Sequence, residues 1–225
     1  MSDTVPIKDA ATTIVLRDRD SRPRVLMGQR GQGAVFMPGK FVFPGGAVDA
    51  NDHTVPVGDL AEIEKARLSD RSALSPDALI AASIRELWEE TGLILGRPAP
   101  WSDAPQGWRG FAASGHRPNG AACRMFFRAV TPIGRPRRFD ARFLLVEADA
   151  LVSDPDDFGR AEDELSHLQW VALDEARNFD LPFITQVVLS ELIAHVAGDG
   201  RIDTVPFFQN NDEQHLVSRL GGRAI

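Results

Sequence analysis

The chain is poor in the features that would give it a covalent, membrane-bound or nucleic-acid-binding character. Cys123 is its single cysteine, so no intrachain disulfide and no cysteine-based metal site can form, and a small core residue on a strand is its expected role. No apolar run reaches 18 residues, the least a membrane helix needs, and residues 1–9 lack the basic-then-apolar order of a secretory leader. A cytoplasmic protein with no membrane partner is therefore expected. Positive charge is also short: 25 Lys and Arg against 32 Asp and Glu give a net charge of −7, which argues against a nucleic-acid backbone as partner. A small anionic ligand stays compatible, because a metal and a local basic cluster can hold phosphate inside an acidic protein. What is present is ordinary for a globular protein. Hydrophobic residues make up 43% and charged residues 25% of 225 positions, enough for one large domain with a proper core.

One stretch stands out, Arg85-Glu86-Leu87-Trp88-Glu89-Glu90-Thr91-Gly92-Leu93. A helix start precedes it, with Ser75 as N-cap, Pro76 at the first helical position and Asp77 in the first turn. Ile80, Ile84 and Leu87 then repeat at the spacing of one buried stripe, and Gly92 sits where a left-handed cap would end the helix. At 100° per residue Glu86, Glu89 and Glu90 share one side. That face is costly: Glu86 and Glu90 form a like-charged i, i+4 pair worth roughly 0.2 to 0.5 kcal/mol of repulsion. All three crowd the negative helix terminus at about 0.3 to 1 kcal/mol each, and Arg85 offsets only part. A solvated acidic face is one reading. A divalent cation is the other, because a hard ion bound by carboxylate oxygens reverses the sign of every one of these interactions.

Phe43-Pro44-Gly45-Gly46, followed downstream by Arg-Glu-apolar-X-Glu-Glu-X-Gly-apolar, resembles the Nudix box, the mark of hydrolases that cleave nucleoside diphosphates linked to another group. In that family the box runs Gly, five residues, Glu, seven residues, then the Arg-Glu segment. Counting back from Arg85 places Asp77 at the first Glu, with the 30 residues 47 to 76 between Gly46 and Asp77 in place of five. The resemblance implies an α+β fold, the Nudix-type α/β/α sandwich around a mixed β-sheet, as a single domain over 1–225 with an insertion over 47–75 and a tail over 201–225. It implies Mg²⁺ or Mn²⁺, with the Gly45 carbonyl approaching an ion held by Glu86, Glu89 and Glu90. Glu89 and Glu90 are the expected principal ligands, Glu86 a ligand or proton acceptor, and Arg85 the clamp that orients a glutamate. Asp77, a carbon shorter than Glu, is either a further ligand or a helix N-terminal acid.

Leu26, Arg30, Gly39 and Phe43 to Gly46 fall at the spacing of a motif in the coenzyme A diphosphohydrolase branch of the family, with departures at Met27, Gly28 and Val35, where that branch has a second arginine. Thr131-Pro132 and Arg138-Phe139-Asp140-Ala141-Arg142-Phe143 are similar to the peroxisomal branch of coenzyme A hydrolases and its bacterial relatives, which also carry a long insertion in the box. The implied substrate is a small nucleoside diphosphate derivative, coenzyme A or an acyl form ahead of ADP-ribose, nucleotide sugars and dinucleotides. A catalytically weak nucleotide-sensing domain is the alternative. Arg30 and Arg138 are candidate phosphate contacts.

The remaining chain reads as two early strands around 10–18 and 24–29, and an insertion with an amphipathic helix at 59–68 built on Leu60, Ile63 and Leu68. That insertion is expected at the rim of the site, as a lid, a specificity loop or a plain surface excursion. Residues 97–120 are irregular, and their Trp101, Trp108 and Phe111 either anchor that segment or line a pocket for a flat base. Strands follow at 124–130, 143–146 and 165–172, and an amphipathic helix at 181–196. Glu164, with Glu162 as the alternative, is the expected extra acid from the loop before the Trp170 strand. Val205 to Phe208 dock either on the body or on a second copy, as a homodimer, and the sequence leaves both open.

Overall fold

Strict alternation in the strands sorts apolar side chains onto two faces of one sheet, and each face is covered by a helix. Val15, Leu26, Leu144 and Val146 join Ile80, Ile84 and Leu87 in one buried cluster. Their sequence neighbours Ile14, Leu16, Val25, Met27 and Leu145 join Val188, Leu189 and Leu192 in the other. Period two in the strands thus meets period 3.6 in two helices, and an α/β/α sandwich results.

The structure, a computed structural model, describes residues 5–34, 36–211 and 214–220. Val35 and residues 221–225 of the tail lie outside the described residues. In chain order the described elements are strands β1 (Ile7–Arg17), β2 (Arg24–Arg30), β3 (Phe41–Val42) and β4 (Gly45–Ala47), then helices α1 (Glu62–Ser69) and α2 (Pro76–Thr91). β5 (Gly96–Pro98), helix α3 (Arg109–Ala113), β6 (His116–Pro118), β7 (Arg124–Val130), β8 (Arg138–Glu147) and β9 (Leu165–Ala172) follow. Helix α4 (Phe183–Ala197) and strands β10 (Val205–Asn211) and β11 (Gln214–Leu220) close the chain. The main sheet runs β11-β10-β7-β8-β1-β2-β3, with β4 also on β1 and β9 also on β2. It is mixed: β1 pairs parallel with β8, and β10 parallel with β7, while the other pairs are antiparallel.

α2 forms as its sequence dictates. The Ser75 side chain accepts from Ala78 N–H, Pro76 occupies the first turn, and Gly92 ends the helix at φ 76°. The N-terminal part of the tail docks on the body, since β10 extends the sheet beside β7 and buries Val205 and Phe207.

The structure narrows or corrects four readings. The insertion is no plain surface excursion, because Val55, Leu60 and Leu68 are buried in the α2 core. Within it, α1 turns Leu68 inward but not Ile63, which is 59% exposed while Glu64 is 1% exposed. Glu64 is buried because it takes an ion pair from Arg67 at 2.8 Å and a hydrogen bond from Met125 N–H at 2.7 Å, which satisfies a buried carboxylate better than any apolar neighbour could. Trp108 and Phe111 line no open pocket, being fully buried against each other and Trp88. Arg142, from the segment offered for substrate phosphates, is buried as well, bonded to Asp9, the Asp140 carbonyl and Ser72.

Candidate metal and diphosphate site

β4 brings the glycine pair to α2, the helix that carries the three glutamates. It pairs with β1 through Ala10, Ala11 and Thr12, and β1 is itself tied to α2 by Thr13 Oγ1 donating to the Ser83 carbonyl at 3.1 Å. Both glycines are required by close approach. A Cβ on Gly45, whose φ is 158°, would lie 2.6 Å from the Ala11 carbonyl, and one on Gly46 would lie 2.5 Å from the Glu86 carboxylate. Any side chain at Gly46 would thus occupy the space of the Glu86 head group.

The three glutamates differ in their surroundings. Glu90 is 1% exposed; its Oε2 accepts from Gly45 N–H at 2.7 Å, and its Oε1 is buried with no hydrogen-bond partner. Burial and the charge of Glu86 push the Glu90 pKa well above the usual carboxylate range, against the Gly45 hydrogen bond. Glu86 is pushed up to about 7, chiefly by burial, with Arg85 opposing and Glu89 and Glu164 adding to the rise. Burial likewise raises Glu89, which Arg85 opposes and Glu162 and Asp52 reinforce. All three carboxyls are held toward the protonated form, Glu86 and Glu90 by near-complete burial and Glu89 by partial burial, a cost that a positive charge among them would relieve.

Arg85 holds two of them. Its Nη1 donates to Glu86 Oε1 at 2.8 Å and Glu89 Oε2 at 2.9 Å, its Nη2 to the Ala47 carbonyl at 2.9 Å and Asp52 Oδ2 at 3.0 Å, and its Nε to Asp52 Oδ1 at 3.0 Å. All five N–H groups of the guanidinium are engaged by the protein, so Arg85 is a clamp with no donor left for a substrate. Burial disfavours its charge, but the hydrogen bond to Asp52 and the attraction of Glu86, Asp52 and Glu89 outweigh that, and its pKa is raised.

Asp52 is the residue that counting back from Arg85 misses. It is fully buried and accepts from Arg85, from Trp108 Nε1 at 3.1 Å and from Asp49 N–H at 2.8 Å. Asp49 caps the short 3-10 turn Ala50–Thr54 in a reciprocal capping box with Asp52. The signal was in the sequence: counting forward from Gly46, five residues end at Asn51 and the sixth is Asp52. The box is therefore interrupted in its second spacer, not its first. Asp77 lies at the other end of α2, nine residues and roughly 13 Å along the axis from Glu86, too far to share an ion with it.

Glu164 lies over the same site. Its side chain, 57% exposed, pairs with Arg30 Nη2 at 3.1 Å, and its charge helps raise the pKa of both Glu86 and Glu90. Glu162 is anchored beside Glu89, its N–H donating to the Glu89 carbonyl at 2.7 Å. Arg30 Nε is buried and unpartnered, a donor free for an anion. Arg138 is not brought to this cluster. It begins β8 opposite Ile7, and its Nε donates to the Thr131 carbonyl at 3.2 Å within its own hairpin.

The arrangement fits a divalent cation in its donor set: hard oxygen ligands, an orphaned buried carboxylate oxygen on Glu90, and a glycine cradle no side chain fills. Among the described residues no three acidic, histidine or cysteine side chains already stand at metal-ligand spacing, as expected where Arg85 rather than an ion holds Glu86 and Glu89. A cleft of about 250 Å³ beside them is lined by Asp49, Asn51, Arg85, Glu89, Gln106 and Gly107. A larger cleft of about 560 Å³ lies elsewhere, against Arg19, Arg67, Arg124, Arg201 and His195. Arg19 and Arg67 in it are paired with Glu147 and Glu64.

The fold is the Nudix α/β/α sandwich. A crystal structure of a NUDIX hydrolase from Alicyclobacillus acidocaldarius superposes with a TM-score of 0.63 over 86% of this chain and 97% of that one, at 24% identity. A binary complex of an Ap4A hydrolase from Caenorhabditis elegans is more distant, with a TM-score of 0.49 and 15% identity over 85% of this chain and 99% of that one. Among curated proteins, putative nudix hydrolase 7 of Caenorhabditis elegans is 28% identical over 185 residues, 72% of this chain and 50% of the relative. The chain thus spans about half the length of that curated relative. No family profile matches the chain. The name of the relative and the fold of the neighbours support the Nudix hydrolase family.

Proposed function

We propose that the protein is a divalent-metal-dependent hydrolase that splits the diphosphate of a nucleoside diphosphate derivative, with coenzyme A or an acyl form of it as the substrate class. The observation that carries this reading is the orphaned, buried Glu90 Oε1 beside the Gly45–Gly46 cradle, an arrangement whose cost is relieved by a cation. Glu86, Glu89 and Glu90, with the Gly45 carbonyl, would hold Mg²⁺ or Mn²⁺. Such an ion supplies charge neutralisation at the diphosphate oxygens and acidifies water.

The chain's own groups do the rest. Asp52 and Arg85 fix the Glu86 and Glu89 side chains before substrate arrives, so little reorganisation is needed during reaction. Arg30 binds a phosphate oxygen through its unpartnered Nε and through Nη2, and in doing so competes with Glu164 for the same guanidinium. The released Glu164 carboxylate accepts the proton of the attacking water at one of its oxygens, which makes substrate binding and base release a single event.

The coenzyme A reading rests on Arg30 and on the spacing of Leu26, Gly39 and Phe43 to Gly46 around it. Of Arg30, Arg138 and Arg142, Arg30 is the one beside Glu164 and the carboxylate cluster, and this reading assigns it to a substrate phosphate. The test compares kcat/KM for coenzyme A, dephospho-coenzyme A and ADP-ribose under one metal condition. One charge-assisted contact to the 3′-phosphate, about 1.5 to 3 kcal/mol, gives roughly one to two decades in favour of coenzyme A over its dephospho form. Equal values for those two, or a preference for ADP-ribose, would remove coenzyme A and leave the general diphosphatase.

A further inference from the structure

The irregular segment after α2 reaches the buried side of Arg85. Trp108 Nε1 donates to Asp52 Oδ1 at 3.1 Å, and both side chains are fully buried. Two residues earlier the Gln106 carbonyl accepts from Asn51 Nδ2 at 2.9 Å. Between them Gly107, at φ 88°, passes so close that a Cβ there would lie 3.9 Å from Arg85 Cδ. The Trp108 ring packs edge-on against Phe111, which packs in the same way on Trp88, one residue before Glu89. The segment thus touches the turn that carries Asp52, the guanidinium Asp52 holds, and the helix that carries the glutamates.

We infer that Trp108 is a positioning residue for the carboxylate centre, acting through Asp52 and Arg85; this rests on the proposed metal-dependent reading of the same site. Asp52 Oδ1 has two donors, Arg85 Nε and Trp108 Nε1. The indole N–H is the neutral, immobile one, set by ring packing rather than by charge. With it, the carboxylate has one orientation in which Oδ1 and Oδ2 both meet the guanidinium fork. Without it, Oδ2 keeps the Asp49 N–H and Arg85 Nη2 while Oδ1 keeps Arg85 Nε alone, so the Oδ1 end of the carboxylate, and with it the guanidinium whose Nη1 holds Glu86 and Glu89, is less firmly fixed. Outer-shell partners of this kind commonly set metal affinity by about one to two decades.

The experiment uses the full chain and the variants Trp108→Phe, Asp52→Asn and the double variant, with Val188→Ala, in the core on the opposite face of the sheet, as a packing control that leaves the indole hydrogen bond intact. Mn²⁺ affinity by isothermal titration, kcat and KM for a diphosphate substrate, and metal-free Tm are measured for each. Trp108→Phe should weaken Mn²⁺ binding about ten- to a hundred-fold and lower kcat with little change in KM, while Val188→Ala lowers Tm with Mn²⁺ affinity within about three-fold of wild type. In the Asp52→Asn background, Trp108→Phe should add little to either the Mn²⁺ or the Tm effect. Additive effects, or wild-type Mn²⁺ affinity in Trp108→Phe, overturn the inference. If Trp108→Phe does not fold, Asn51→Ala, which releases the same segment from the exposed side, should weaken Mn²⁺ binding in the same direction, and unchanged affinity there counts against it. Failure of wild type to bind Mn²⁺ would instead overturn the metal reading, and the metal-free Tm cycle would still decide whether Trp108 and Asp52 act as one unit.

Discussion

Glu86 shows how one side chain reports on the whole site. Its pKa is raised to about 7 from an ordinary 4.5, first by burial. A folded-state value above the unfolded one means that the folded protein binds the proton more tightly. The stability this gives is fully present below pH 4.5 and is lost as pH rises through 7. Glu89 and Glu90, both also raised, act with the same sign. Metal-free protein should therefore lose Tm between pH 5 and pH 7.5, and Glu86→Gln should flatten that fall because the group no longer titrates. Saturating Mg²⁺ should flatten it in wild type as well. Parallel Tm profiles for wild type and Glu86→Gln would show that Glu86 ionises freely and is not held in a desolvated cluster. Asp52 marks the limit of single-residue reading: counting from Arg85 hides it and counting from Gly46 exposes it, since the spacer it ends is intact and the next one is enlarged.

At the scale of elements, α2 was fully legible. Its cap, first-turn proline, apolar stripe and terminal glycine all act within one turn of themselves, and local rules suffice for local causes. β1, β2, β7 and β9 were legible for the same reason and β8 over its second half, whereas β4, β5, β6, β10 and β11 were not. α1 was not, because its register depends on a partner 61 positions away in sequence, the Met125 N–H that Glu64 accepts. The aromatic segment is read as anchor or as pocket wall, and the buried cluster of Trp108 and Phe111 with Trp88 makes it an anchor. A prediction follows for α1. Glu64→Ala should cost about 3 to 5 kcal/mol in a urea melt, the loss expected when one partner of a buried ion pair is removed. Ile63→Ala, on the exposed side, should stay within about 0.5 kcal/mol of wild type. Comparable losses for the two would mean that α1 sits in the register its apolar residues suggest.

For the molecule as a whole, the sandwich places the glycine pair, the glutamate helix and the loop carrying Glu162 and Glu164 at one site through three separate attachments. β4 is zipped to β1, α2 rests across β1 at Thr13 and Ser83, and the 162 backbone is pinned to the end of α2. Sequence motifs could name these parts because the chemistry needs fixed residue types at short spacing. They could not show Trp108 and Asn51 closing around Arg85, since those contacts cross long stretches of chain and carry no periodic signal. The central claim is that the buried glutamates form a cation site that drives diphosphate cleavage, and Glu90→Gln tests it most directly, because that change removes charge while preserving size. The measurement is Mn²⁺-dependent hydrolysis of coenzyme A and ADP-ribose by wild type and Glu90→Gln, with both products identified by mass and metal-free Tm recorded alongside. The account predicts that EDTA abolishes wild-type turnover and that Glu90→Gln loses at least about two decades of it, while its metal-free Tm is equal to or above wild type because a buried like charge is gone. Wild-type turnover in Glu90→Gln, or turnover that survives EDTA, would contradict it.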